Sequence, residues 1–144
     1  MWLTLNHDRL VTQVRLASLK RQMQWRWTSE TLIRDGASDK IQDAIVAFDS
    51  PKKGLSRIAI EVELSQKSEA RLKTIFTEYQ AGDFALVLYF VSTPELMKTL
   101  MRVANEFCPK AYFSLISEFC DVEKDVVWKN LRDEFSNNHF CGDK

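Results

Sequence analysis

The hydrophobic period of the sequence changes once between residues 58 and 79, from two residues to about 3.6. In the first half, apolar side chains stand two apart, at Ile58, Ile60, Val62 and Leu64. In the second half they follow the spacing of one helical face, at Leu72, Ile75, Phe76 and Tyr79. The first pattern predicts a β-strand with one apolar face, and the second predicts an amphipathic helix. The stretch therefore predicts a strand that leads directly into a helix, with Ser65 or Ser68 as the N-cap.

The opposite face of this predicted strand carries two acidic residues, Glu61 and Glu63. A strand that only builds a core has no need of paired carboxylates on one face, whereas a metal site does. The alternative is a solvent-facing strand side on which both glutamates form an exposed salt-bridge cluster with Lys67 and Arg71, of little energetic value.

Length, charge and cysteine content exclude several classes of protein. A chain of 144 residues suits one domain, and its 20 basic and 20 acidic residues balance, so binding to DNA would need a local basic patch. The sequence has no apolar run of membrane-spanning length and no signal-peptide pattern. Its three cysteines, Cys108, Cys120 and Cys141, are odd in number and far apart, which favours a reducing compartment. We therefore expect a cytoplasmic protein that does not enter a membrane.

The remaining patterns predict an α/β fold, with a mixed central β-sheet flanked by helices. We predict helices over residues 7–22 (capped by Asn6), 29–34, 94–107 and 122–135, and strands over residues 24–28, 43–48, 84–91 and 111–116. A loop is expected at residues 35–40, and a turn at residues 50–54 makes a hairpin of the strands on either side of it. The continuously apolar strand at 84–91 suits the sheet interior. Residues 1–136 are expected to form a single domain, followed by a frayed polar C-terminal tail at 137–144.

Three carboxylates are expected to meet at one end of the hairpin. Asp43 opens the first arm, and antiparallel pairing across the turn brings it close to Glu61 or Glu63 in the second arm. Carboxylates this close repel one another unless a cation neutralises them, and Lys67 is near enough in sequence to reach back. These residue types serve Mg²⁺-dependent phosphodiester cleavage, in which carboxylates hold the metal and a lysine positions the nucleophile.

Four sequence blocks carry a resemblance to a known family. They are HDRLVTQVRLASL from His7, QDAIV from Gln42, IEVELSQKSEARLKTIFTEY from Ile60 and VLYFVSTPEL from Val87. In order and spacing they resemble the plasmid replication-relaxation family of the PD-(D/E)xK nuclease-like superfamily, over about residues 7–116. The resemblance implies a restriction-endonuclease-like core and a nuclease-like domain. Family members commonly carry a winged-helix DNA-binding domain ahead of this region, for which we expect no room here.

The resemblance also implies roles for individual residues. Asp43 and Glu61 would bind Mg²⁺, Glu63 would complete the catalytic site, and Lys67 would orient water or a phosphate oxygen. Two positions depart from the superfamily pattern, because Gln42 stands where proline is typical and Glu63 stands where the motif has lysine. Some restriction enzymes of the superfamily cleave with glutamate there, and others carry the lysine on the adjacent helix, as Lys67 would. Many members are inactive scaffolds.

Two functions from different classes follow. The first is a DNA-acting protein of plasmid or mobile-element replication or mobilisation, with metal-dependent endonuclease activity and DNA contacts from Lys52, Lys53, Lys67 and Arg71. The second is a non-catalytic accessory domain that binds DNA or a replication or mobilisation protein. An exposed apolar patch around Trp25 and Trp27 would favour this second function. An edge strand could also pair with a second copy, giving a homodimer. Asp8 could add an acid to the site, although a place in the first turn of its helix would explain it equally well.

Overall fold

A computed structural model describes residues 2–28 and 42–142, with side chains from residue 6 onward. The predicted helix at 29–34 and loop at 35–40 lie outside these described residues. The elements follow in this order: α1 (Trp2–Lys20), β1 (Trp25–Trp27), β2 (Ala44–Ser50), β3 (Gly54–Glu63), α2 (Glu69–Ala81), β4 (Leu86–Val91), α3 (Pro94–Phe107), β5 (Ala111–Leu115), α4 (Ile116–Cys120), β6 (Val127–Lys129), β7 (Glu134–Ser136) and a 3₁₀ helix (Asn137–Phe140). In the described part of the chain, no helix combines the length and the apolar character needed to cross a bilayer.

The strands form one seven-stranded mixed sheet in sequence order, which confirms the predicted α/β class. β1, β2 and β3 pair antiparallel, β3, β4 and β5 pair parallel, and β6 and β7 return to antiparallel pairing. The predicted hairpin is confirmed, with Ser50 opposite Gly54 and Ala44 opposite Ile60. Gly54 closes this turn at a φ of 73°, a conformation in which other residues are strained.

Helices cover both faces of the sheet and create two cores. α2 and α3 bury residues such as Phe76 and Leu100 against one face, while α1 and α4 pack with the other face around Trp128 and Phe90. The sheet curls around this second core until the chain before β1 meets the chain after β7. Gln24 N–H donates to the carbonyl of Phe140 at 2.7 Å. Both faces of the central strands are therefore withdrawn from water.

The two helices that connect the parallel strands begin where the sequence predicts. The Ser68 side chain accepts a hydrogen bond from the N–H of Arg71 and caps α2, which settles the choice between Ser65 and Ser68. Thr93 caps α3 in the same way, through the N–H of Leu96. Hydroxyl acceptors at these positions satisfy N–H groups that have no partner inside the helix.

The predicted helix at 122–135 is wrong. Its apolar stripe rested on Val127, Leu131 and Phe135, but Val127 and Leu131 are exposed, and the chain instead buries Trp128 in β6. Arg21, about a hundred residues away in sequence, donates to the carbonyls of Glu118, Phe119, Asp121 and Lys124, at the end of the short helix α4 and just beyond it. The last carbonyls of a helix have no partner inside it, so Arg21 satisfies the end of α4 and the loop that follows.

The prediction of a frayed tail is also wrong for residues 137–142. Asn137 and Phe140 are buried in the 3₁₀ helix, and the Asn137 side chain accepts a hydrogen bond from the Trp128 indole at 3.0 Å. Cys141 pairs with Met23 in an isolated β-bridge. This segment closes the curled sheet, a role that its polar composition does not reveal.

The first helix starts earlier than predicted. α1 begins at Trp2, so Asn6 lies inside it and is not its cap. For the same reason Asp8 is outside the first turn, and its expected favourable interaction with the start of the helix dipole is wrong.

Candidate acidic site

The candidate site lies at the end of β3, beneath helix α2. Asp43 directly precedes β2, and the register that places Ala44 opposite Ile60 brings Asp43 opposite Glu61. In the parallel pair, Glu61 lies beside Tyr89 and Glu63 beside Val91. Carboxyl ends of parallel strands are common places for ligand sites in α/β proteins, because the following loops leave a crevice there.

Asp43 and Glu61 are locked together by the hairpin backbone. The N–H of Asp43 donates to Glu61 Oε1 at 3.3 Å, and the N–H of Val62 donates to Asp43 Oδ2 at 2.7 Å. The prediction that Asp43 lies close to Glu61 or Glu63 is therefore confirmed, with Glu61 as the partner. Each carboxylate holds the neighbouring strand's backbone, which fixes both side chains in place.

Glu63 is neutralised by the lysine that the sequence singled out. Its Oε1 forms an ion pair with Lys67 Nζ, four residues later in the loop before α2. Glu61 and Glu63 are only 7% and 6% exposed, so the interpretation of both as a solvent-facing cluster is wrong. Glu63 and Lys67 do pair, but with the acid buried. A buried carboxylate without a partner would be costly, which explains why Glu63 is paired with a lysine.

His7, which the sequence gave no reason to select, lies against Asp43 with its Nε2 at 3.1 Å from Oδ2. Burial lowers the pKa of His7, but the Asp43 carboxylate and its hydrogen bonds outweigh this effect and raise the pKa overall. On the side of His7 away from Asp43, Asp8 Oδ1 is 3.6 Å from His7 Nδ1, and the Asp8 side chain is mostly exposed. The structure therefore places a histidine next to the carboxylates, and Asp8 one residue further out.

Two buried tyrosines complete the surroundings of Glu61. The Tyr79 hydroxyl donates to Glu61 Oε1 at 2.7 Å from the last turns of α2. Burial, and after it the Glu61 carboxylate, raises the pKa of Tyr79 far above its ordinary value. Burial followed by Glu61 and Glu63 raises the pKa of Tyr89 in the same way. The periodicity assigned Tyr79 to the apolar face of the helix, and nothing local distinguishes its hydroxyl from an ordinary core tyrosine.

The cluster has the chemistry for a hard cation, with three carboxylates facing one lysine and one histidine. Solvent reaches it through Asp43, His7 and Lys67, whose side chains are 20%, 29% and 26% exposed. Oxygen donors of this kind suit Mg²⁺. Within residues 2–28 and 42–142, however, no three Asp, Glu, His or Cys side chains are arranged to enclose a metal ion as they stand. The Mg²⁺ site stays a prediction.

The four predicted DNA-contacting residues do not form one face. Lys67 lies in the loop after β3, where it pairs with Glu63, and Arg71 lies in the first turn of α2, whereas Lys52 and Lys53 lie in the turn at the far end of β3. The nine residue steps from Gly54 to Glu63 correspond to roughly 30 Å of extended strand. Lys52 and Lys53 are therefore remote from the acidic cluster.

Trp25 and Trp27 do not form the exposed apolar patch that would favour the accessory-domain alternative. Trp25 is buried in the core against Phe140, and Trp27 is half-buried with its indole N–H near Ser18 Oγ at 3.3 Å. This surface gives no support to the accessory-domain alternative.

Comparisons with protein-family models, with curated proteins and with solved structures give no significant match to this chain. The resemblance to the plasmid replication-relaxation family and to the PD-(D/E)xK superfamily therefore stays a prediction. The case for a function depends on the site itself.

Proposed function

We propose that the chain is a DNA-acting protein of plasmid or mobile-element replication or mobilisation, and that its acidic site is a Mg²⁺-dependent endonuclease centre. The observation that carries this proposal is the surplus of negative charge at the end of β3. In residues 2–28 and 42–142, the cationic partners found for two buried glutamates and Asp43 are Lys67 and His7. Carboxylates held this close favour the binding of a cation. Action on DNA also fits the cytoplasmic location expected from the sequence.

Each residue has a role that its contacts support. Asp43 and Glu61 would hold the metal, since they are fixed to each other through the hairpin backbone. Mg²⁺ bound there would act as a Lewis acid on a phosphodiester oxygen and would lower the pKa of a bound water. Glu63 completes the site by holding Lys67, whose ammonium would orient the attacking water or a phosphate oxygen. Arg71, exposed on the first turn of α2, would contact the DNA backbone.

The test is a titration of Mg²⁺ and Mn²⁺ into the protein by calorimetry, followed by incubation with supercoiled plasmid. We expect the wild type to bind metal and to nick the plasmid only when metal is present. Glu61→Gln should lose both, because the amide is neutral and only one of its atoms can coordinate a cation. Glu95→Gln, an exposed change in the first turn of α3, is the matched control and should behave as the wild type.

The second candidate is a non-catalytic accessory domain that binds DNA or a replication or mobilisation protein. It is favoured by the fact that each carboxylate already has a protein donor: His7 for Asp43, Tyr79 for Glu61 and Lys67 for Glu63. Acids satisfied in this way can be purely structural. Absence of metal binding by the wild type would decide for this candidate, and the search would turn to protein partners and to a homodimer.

A further inference from the structure

A cavity opens at the end of the curled sheet opposite the acidic site. Its volume is about 240 Å³, and its walls come from the amino ends of β4 and β5, from β2 and β3, and from residues 135–140. Leu86 is the first residue of β4 and Tyr112 the second of β5, whereas the acidic cluster lies at the carboxyl end of β3. The cavity is thus separate from the proposed nuclease centre. Mouths of curled and closed sheets are frequent ligand sites.

Four of the ten described residues that line the cavity carry phenyl or phenol rings. Phe48 and Phe140 meet edge to face with ring centres 5.2 Å apart, and Tyr112 and Phe135 do so at 4.9 Å. Phe135 also packs edge to face against Phe140, at 5.7 Å, which joins the two pairs. Aromatic rings prefer such offset or edge contacts, so a further ring could pack against these side chains in the same way. The wall therefore suits a flat aromatic group.

The polar groups of the cavity carry positive charge or can donate hydrogen bonds. They are Lys53 from the hairpin turn, Ser56 from β3, His139 from the 3₁₀ helix and the hydroxyl of Tyr112. None of the described residues that line the cavity is acidic. The Tyr112 hydroxyl donates to the carboxylate of Asp133 at 3.4 Å, outside the set of lining residues. Lys53 would repel a cationic ligand and attract an anionic one.

We propose that this cavity binds a small aromatic carboxylic acid of one or two rings. Its ring would lie among the phenyl groups, and its carboxylate would accept hydrogen bonds from the Lys53 ammonium and the Ser56 hydroxyl. A volume below the usual range for drug-sized ligands limits the occupant to this size. The proposal is independent of the nuclease function, because it uses none of the residues of the acidic site.

The test uses three probes of equal ring size at pH 7, titrated by calorimetry: 1-naphthoate, neutral 1-naphthalenemethanol and cationic 1-naphthylmethylamine. We expect one molecule of naphthoate to bind per chain, more tightly than either of the others. Lys53→Met should weaken naphthoate binding about tenfold, since it removes a charge-assisted hydrogen bond. Lys52→Met, the same change at a neighbouring turn residue outside the cavity wall, should leave affinity within about twofold.

A filling variant gives a second measurement that does not depend on charge. Ala85 lines the cavity and is itself exposed, so Ala85→Leu should block the probe without disturbing the core. Circular dichroism and the unfolding midpoint confirm that each variant is folded. The proposal is overturned if naphthoate does not bind, or if the cationic probe binds with an affinity equal to that of naphthoate. It is also overturned if Lys53→Met and Lys52→Met weaken naphthoate binding equally.

Discussion

Replacing Tyr79 by phenylalanine removes one buried hydroxyl and leaves the space of its ring filled. The hydroxyl donates to Glu61 Oε1 over 2.7 Å, and both side chains are almost completely buried. A hydrogen bond to a charged acceptor contributes about 1.5–3 kcal/mol to stability. The edge contact of the ring with Phe84 does not involve the hydroxyl. We therefore expect Tyr79→Phe to lower the free energy of unfolding by about 2 kcal/mol.

Tyr112→Phe is the matched control for this change. Its hydroxyl donates to Asp133 over 3.4 Å at an exposed position, so the same substitution should cost less than about 0.5 kcal/mol. Both variants are compared with the wild type by urea unfolding, which is monitored by tryptophan fluorescence. We expect the slope of unfolding free energy against urea concentration to be the same in all three proteins. Equal losses in the two variants would refute the argument that Glu61 depends on Tyr79.

The same hydroxyl makes stability depend on alkaline pH. Burial and the Glu61 carboxylate raise the pKa of Tyr79 in the folded protein, while an unfolded tyrosine titrates near pH 10. Below pH 10 both states keep the proton, and the contribution to stability is complete. As pH rises above about 10, only the unfolded state loses the phenolic proton. The free energy of unfolding therefore falls by about 1.4 kcal/mol per pH unit for each buried tyrosine whose pKa is raised in this way. Tyr79→Phe should make the dependence of unfolding free energy on pH shallower by this amount above about pH 10, and the dependence that remains should come from Tyr89.

Two further changes test the pairing at the site and the turn that aligns it. Lys67→Met leaves the buried Glu63 without its cation and should cost about 2 kcal/mol in urea unfolding, between the values for buried and exposed pairs. Arg102→Met, which breaks an exposed pair, should cost less than about 0.5 kcal/mol, and similar losses would contradict a special role for Lys67. Gly54→Ala should cost about 1 kcal/mol because of its positive φ. Gly82→Ala, with a φ of −79°, should be neutral or stabilising by the same assay.

The sequence predicted the central part of the fold because local patterns and global packing agree there. The alternation in β3 and the apolar run of β4 each predict a strand, and both strands are present in the sheet. The sequence also limited the cap of α2 to Ser65 or Ser68, of which the structure uses Ser68. Hairpin geometry predicted that Asp43 lies close to Glu61 or Glu63, and the register of the strands selects Glu61. In such segments, few long-range contacts are needed to choose the structure.

The misplaced elements are those whose structure is decided by distant partners. The carbonyls at the end of α4 accept from Arg21, and the buried Trp128 is paired with Asn137, contacts that no local pattern reveals. His7 escaped prediction for the same reason, since only the packing of α1 brings it to Asp43. Apolar spacing at 127, 131 and 135 was a false helical signal, because tertiary contacts override a weak local preference.

The two interpretations of the acidic site can be separated without any DNA substrate. A cation that binds only the folded protein raises the free energy of unfolding by RT ln(1 + [L]/Kd), about 2.7 kcal/mol at a hundredfold excess over Kd. If Asp43 and Glu61 hold a metal, Mg²⁺ should stabilise the wild type and leave Glu61→Gln unaffected. If the acids are structural, Glu61→Gln still weakens the hydrogen bonds from the Tyr79 hydroxyl and from the N–H of Asp43, because its amide oxygen is a neutral acceptor, but Mg²⁺ changes neither protein. Both outcomes predict a less stable variant, so it is the response to Mg²⁺, measured at constant ionic strength, that decides between them.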